Sequence, residues 1–131
     1  MTRARDERGQ TAVEFALVAP ILIVMLLGII QLGVAFHDYV TLTDAARAGA
    51  RKAIVARLSG GNVTDAQQAV RNAAGSLDQS KLNVTVDDPS WSTPGSTVTV
   101  TATYPYSINI PLLGLTVVNG NLNAIAKEQL E

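Results

Sequence analysis

The chain of 131 residues has no cysteine and a single histidine, His37. The first absence excludes a disulfide framework, a thiolate nucleophile and thiolate metal sites. The second leaves any Ser-His-Asp triad, and any His-based metal site, dependent on His37 alone. His37 stands at the end of the longest apolar run, where a histidine is more often an interfacial polar residue than a catalyst. Charge of one sign is lacking too. The 10 Lys and Arg are balanced by 11 Asp and Glu, for a net charge of −1. No bulk field therefore points to nucleic acid. These absences argue against an enzyme. We expect no catalytic residues, metal, cofactor, small-molecule substrate or nucleic-acid partner.

Two further absences are local. No Asp, Glu, Lys or Arg occurs between Phe15 and Phe36. At about 1.5 Å per residue, a helix of that length crosses a hydrocarbon core of ~30 Å. The run exceeds the roughly 7–15 residues of a signal-peptide core, so retention is expected although Gly33-Val34-Ala35 offers small residues at a cleavage spacing. Arg3, Arg5 and Arg8 precede it, as on the cytoplasmic flank of a membrane helix. Arg47, Arg51 and Lys52 follow it, but a long following domain can translocate despite such charges. The expected topology is single-pass, with the N-terminus cytoplasmic and the remainder outside. Within the run, Pro20 removes a helical hydrogen bond and is expected to kink the helix. Ala12, Ala16 and Ala19 form a small-residue track, suited either to close helix approach or to plain contact with lipid.

The other local absence is proline between Asp38 and Leu58. Tyr39, Leu42, Ala46, Ala50, Ala53 and Ile54 recur there at helical spacing. The spacing predicts one helix over residues 11–58, greasy in its first half and amphipathic in its second. Asp44 can meet Arg47 three residues on, and Ala45, Gly49 and Ala53 make a ridge for close packing. Ser59-Gly60-Gly61-Asn62 should end the helix, through residues that tolerate positive φ.

Beyond that point the period changes twice. Thr64-Asp65-Ala66-Gln67 reads as a capping box, with Thr64 as N-cap, opening a short amphipathic helix that runs to about Gly75. Leu82, Val84 and Val86 then alternate with polar residues, as in a half-buried strand. Residues 87–96 read as a loop, in which Trp91 is expected to cover the sheet edge and Asp87-Asp88 to be solvated rather than metal-bound. Val98, Val100, Ala102 and Tyr104 alternate with threonines in the clearest strand, which Pro105 should end. Residues 108–118 read as an irregular packed stretch, Asn119-Gly120 as a turn, and Leu122, Ala124 and Ala126 as a last strand. The fold class expected is α+β. A long N-terminal membrane-spanning helix continues into a small head with one short helix and a three- or four-stranded antiparallel sheet. The amphipathic half of the long helix should cover the apolar face of that sheet.

One constellation remains. Gly9 is followed by Gln10-Thr11-Ala12-Val13-Glu14-Phe15 and then by the apolar run. This arrangement resembles the processing site of type IV prepilins, in which a membrane peptidase cuts after a glycine on the cytoplasmic side. A glutamate follows at the fifth mature position. The fuller string Val13-Glu14-Phe15-Ala16-Leu17-Val18-Ala19-Pro20 resembles TadE/TadF-type pseudopilins of the Tad (Flp) branch. The resemblance implies a leader over residues 1–9, cleavage between Gly9 and Gln10, and an assembly role for Glu14 and Phe15. It implies a long helix over residues 10–58 with its transmembrane segment at 15–36, and a head over residues 59–131. Gln10 departs from the phenylalanine usual at the first mature position in the wider family. The implied function is that of a minor pilin or pseudopilin in the cytoplasmic membrane, with a surface pilus used in adhesion or secretion as its further destination. The implied partners are the membrane, a prepilin peptidase, other pilins and the Tad assembly machinery. The rival expectations are an uncleaved bitopic anchor whose outer domain binds an envelope partner, and a membrane-tethered hydrolase. The plainer account of Glu14 itself is an interfacial carboxylate reaching for water, with Gly9 incidental.

Overall fold

A computed structural model of the chain describes residues 3–87, 95–110 and 114–129. The elements run in the order α1 (Arg3–Leu58), α2 (Val63–Ala73), β1 (Asn83–Asp87), β2 (Thr97–Ile110) and β3 (Leu115–Gln129). The fold is α+β, with one long apolar N-terminal helix, one short helix and a three-stranded antiparallel sheet in the order β1-β2-β3.

α1 is continuous through Pro20 and begins earlier than residue 11. Its first turns take in Gly9, which costs about 1 kcal/mol relative to alanine without interrupting the hydrogen-bond ladder. Its end follows the sequence closely. Gly60 adopts φ +74. The Gly61 N–H donates back to the Ala56 carbonyl at 2.6 Å, the six-to-one closure of a Schellman ending. Gly61 itself is crowded. A Cβ there would meet the Ala56 Cβ at 2.9 Å and an Asp65 carboxylate oxygen at 2.5 Å.

α2 is capped differently from expectation. Asn62, not Thr64, is the N-cap: its side-chain oxygen accepts from the Thr64 N–H at 3.0 Å. Asp65 closes the reciprocal half of the box, accepting from the Asn62 N–H at 3.1 Å. Both Asn62 and Thr64 carry capping side chains, and the acidic residue three positions on decides between them, since a charged acceptor binds a backbone donor more strongly than the neutral Gln67 available to Thr64. The other end of α2 is held by Gln79, whose amide donates to the Ala74 carbonyl at 2.8 Å.

The sheet is organised around β2. Val86↔Val100↔Ala126 and Val84↔Ala102↔Ala124 form rows across the three strands. Val98, Val100 and Ala102 are fully buried, while the threonines between them face outward. Leu42, Ala45, Ala46, Ala50 and Ala53 of α1 and Ala66, Val70 and Ala74 of α2 complete one core with that face. Small residues let the helix backbone approach the sheet, and Leu42, Val70, Val98 and Val100 are the largest fully buried side chains, at about 1.5–3 kcal/mol each. Gly49 marks the tightest point, where both helices and the sheet meet. A Cβ there would lie 2.2 Å from Val70 Cγ2 and 3.3 Å from Val100 Cγ1. The expected Asp44–Arg47 pair forms at 3.4 Å on the exposed face.

Two expectations about the sheet are corrected. β2 does not stop at Pro105 but continues to Ile110, and residues 108–110 and 115–118 are strand, with a bulge that leaves Val117 unpaired between Ile108↔Val118 and Asn109↔Thr116. β1 pairs β2 only as far as Asn83↔Thr103, so Pro105 lies on an open edge where the donor it lacks has no strand to serve. Asn119-Gly120 is not a turn. It sits inside β3 opposite Ser107 and Tyr106. Gly120 leaves room there for the Tyr106 ring, which lies across it 2.7 Å from where a Cβ would be. The connection containing Asp88 and Trp91 lies outside the described residues.

Candidate processing and assembly site

Residues 9–20 form an uninterrupted helical segment whose side chains are almost all open to the surroundings. Glu14 is three turns into α1, not in its first turn as the sequence suggests, because the helix begins at Arg3. Its carboxylate accepts a hydrogen bond from the Gln10 amide at 3.2 Å, one helical turn back. Gln10 and Glu14 are thus already paired, and Gly9 directly precedes the pair, with nothing within 4 Å of its missing side chain. Phe15 points outward and is 69% exposed. Ala12 and Ala16 are exposed and Ala19 is half-buried. Pro20 has no N–H, so the Ala16 carbonyl lacks its helical donor one turn away from Glu14.

The segment above continues bare. Ile21, Leu22, Met25, Leu26, Ile29 and Ile30 are all more than half exposed, while Val24, Leu27, Gly28, Gln31 and Ala35 form one half-buried stripe. A helix that leaves most of its large apolar side chains uncovered by its own chain needs an apolar surrounding. α1 therefore carries one segment long and apolar enough to cross a membrane, and none of that segment is buried by the head.

Residues 9–51 match the family model of the TadE-like proteins. The match starts at Gly9, takes in Gln10, Glu14, Phe15 and Pro20, and ends inside the part of α1 that packs on the sheet. The match covers 43 of the chain's 131 residues. No curated protein and no solved structure matches the chain. The head beyond residue 51 is thus read from its own physics.

Outside this segment the chemistry is sparse. Among the described residues no group of three or more His, Asp and Glu is placed to hold a metal. His37 is exposed at the membrane-proximal end of the amphipathic half. Among the described residues, the one displaced titration is that of Asp78. The Ser80 hydroxyl and backbone N–H, with Lys81 nearby, hold its carboxyl below the ordinary value of 3.8. This is a turn-forming carboxylate at the surface of the head.

One residue escapes the sequence reading altogether. Gln31 lies within the charge-free run, and its amide donates to the backbone carbonyl of Asn109, at the far end of β2. The signal was available: a lone amide in an otherwise apolar span asks for a partner.

Proposed function

We propose that this chain is a minor pilin or pseudopilin, a structural subunit that initiates or assembles a Tad-type pilus. Residues 1–9 form a leader cut by a prepilin peptidase after Gly9, the helix from residue 10 is held in the cytoplasmic membrane through residues 15–36, and the head over residues 59–131 lies outside. The observation that carries this reading is the register of Gly9, Glu14 and Phe15 with the bare apolar segment, within a family match that opens at Gly9.

The chemistry gives each residue a task. A lone carboxylate at the edge of hydrocarbon costs about 1–3 kcal/mol. Cleavage after Gly9 creates an ammonium group on Gln10 and brings Glu14 to the start of the helix, where the dipole favours an anion. In a staggered assembly a neighbour's ammonium can approach Glu14. Two charges 4 Å apart at an effective dielectric near 20 attract by roughly 4 kcal/mol before desolvation. Glu14 thereby disfavours the solitary subunit and favours the assembled one. Phe15 and the small track of Ala12, Ala16 and Ala19 supply the contact surface, and Pro20 leaves the helix able to bend between them.

The helical state of Gly9 in the uncut chain favours a second reading, the uncleaved bitopic anchor, because a peptidase needs that turn opened into an extended strand. Mass determination of the protein from its native membrane separates the two. A chain starting at Gln10 supports the pilin reading, and a chain that keeps residues 1–9 supports the anchor. Glu14→Ala then tests the assembly role. Leader removal should proceed as before while incorporation into pili falls at least tenfold; unchanged incorporation would remove Glu14 from the account.

A further inference from the structure

β2 and β3 continue past the end of β1 as a two-stranded ribbon, from Tyr104↔Leu122 to Ile110↔Leu115. The direction of that ribbon is fixed at two points. Val100 lies against Gly49, and Asn109 accepts the hydrogen bond from Gln31. From Gly49 to Gln31 is about 27 Å of helix, and from Val100 to Asn109 about 30 Å of strand. The near equality means that the ribbon lies alongside α1 and runs toward the N-terminus of that helix. Gln31 is itself inside the charge-free run, about 7 Å short of its end at Phe36. The end of the ribbon therefore stands at the depth of the outer part of the span.

The sequence suits that depth. No Asp, Glu, Lys, Arg or His occurs between Asp88 and Lys127. Ile108, Ile110, Leu115 and Val118 lie in the paired end of the ribbon, Val117 sits at the bulge between them, and Val118 is 38% exposed. Gln31 gives the second argument. An amide in hydrocarbon is costly without a partner, and the ribbon backbone supplies one in the same layer. An open ribbon cannot go deeper, because its unpaired edge groups need water or headgroups.

We propose that the end of the β2–β3 ribbon, residues 108–110 and 115–118, is a second membrane contact, seated in the interfacial layer of the bilayer beside the span. Its partner is a lipid surface. With α1 it makes a two-point attachment that fixes the height and rotation of the head. This inference rests on the reading of residues 15–36 as a membrane span, and its test separates the two.

The native chain has no cysteine, so single-cysteine variants of the full-length protein can carry a fluorophore at one known depth. Leu115→Cys and Val118→Cys report on the ribbon end, Ile125→Cys on the upper part of the same strand (63% exposed), and Ile23→Cys on the span. Each is reconstituted at less than one chain per vesicle in phosphatidylcholine with phosphatidylglycerol. Labels at 115 and 118 should be quenched by brominated lipid, as at 23, and should be at least threefold less accessible to aqueous iodide than the label at 125. Iodide access at 115 and 118 equal to that at 125, with lipid contact kept at 23, overturns the ribbon contact alone. Protection that appears only with several chains per vesicle overturns it in favour of a second copy as the occupant. Loss of lipid contact at 23 overturns both the span and the ribbon contact.

Discussion

The two halves of α1 share one backbone geometry and obey opposite rules. Before Phe36 most of the large apolar side chains are exposed, with Phe15 and Phe36 each 69% exposed, and none is fully buried. After it, Leu42, Ala45, Ala50 and Ala53 are closed off completely on one face, while Asp44, Arg47 and Arg51 stay in solvent on the other. The apolar content is carried by bulky residues in the first half and by alanine in the second. Bulk gains contact with a fluid surrounding, whereas small size lets a sheet come close. What a helix packs against is thus written in side-chain size as much as in polarity.

Glycines sharpen the comparison most. Gly28 and Gly33 have nothing within 4 Å of a would-be Cβ, while Gly49 has Val70 at 2.2 Å. Gly49→Leu should destabilise the head by about 3 kcal/mol through overpacking, read by urea unfolding of the full chain in micelles. Gly33→Leu in the same helix should change that midpoint by less than about 0.5 kcal/mol. Equal effects at the two positions would mean that the halves are not packed differently at all.

A smaller effect belongs to the junction where the second half hands over to the head. Asn62→Ala removes the acceptor for the Thr64 N–H and one side of the capping box, at a cost of about 1 kcal/mol. Thr64→Ala should be nearly neutral, since Thr64 contributes its backbone N–H and not its side chain to the cap. The reverse order in thermal melting would restore Thr64 as N-cap.

The long helix, its Gly60 ending, the alternating rows of β1 and β2 and the cover supplied by α1 were all legible, because each rests on periodicity or on a residue with one conformational use. Three features were not. The choice of Asn62 over Thr64 depended on which acidic or amide partner wins a competition of similar hydrogen bonds. The passage of β2 through Pro105 depended on β1 being short, which no local pattern announces. Gly120 read as a turn because its real reason, the Tyr106 ring, comes from the facing strand. In the candidate site, the residues Gly9, Gln10, Glu14 and Phe15 were visible at once. The Gln10–Glu14 pairing follows from helical spacing, but Gln31 meets its acceptor at a distance in sequence that no motif spans.

The smallest expected effect still divides the molecule. Residues between Phe15 and Phe36 include no group that titrates, so protons act on the stability of the head through groups outside the span. There Asp78 anchors the turn that leads into β1. Its carboxylate accepts from Ser80 Oγ at 2.6 Å and from the Ser80 N–H at 3.0 Å, with Lys81 Nζ at 3.6 Å. These donors favour the charged form and depress its pKa below 3.8. A depressed carboxylate stabilises the fold fully above its unfolded value and loses that contribution as pH falls through the folded one. The head should therefore weaken slightly as pH drops below about 4, and Asp78→Asn should flatten that part of the profile, since the amide oxygen keeps the turn geometry without the charge. Helicity of the span, followed in the same samples by a label at Ile23, should stay constant over that range, because proton uptake at Asp78 changes a hydrogen-bonded turn in water and nothing that the lipid-facing half depends on.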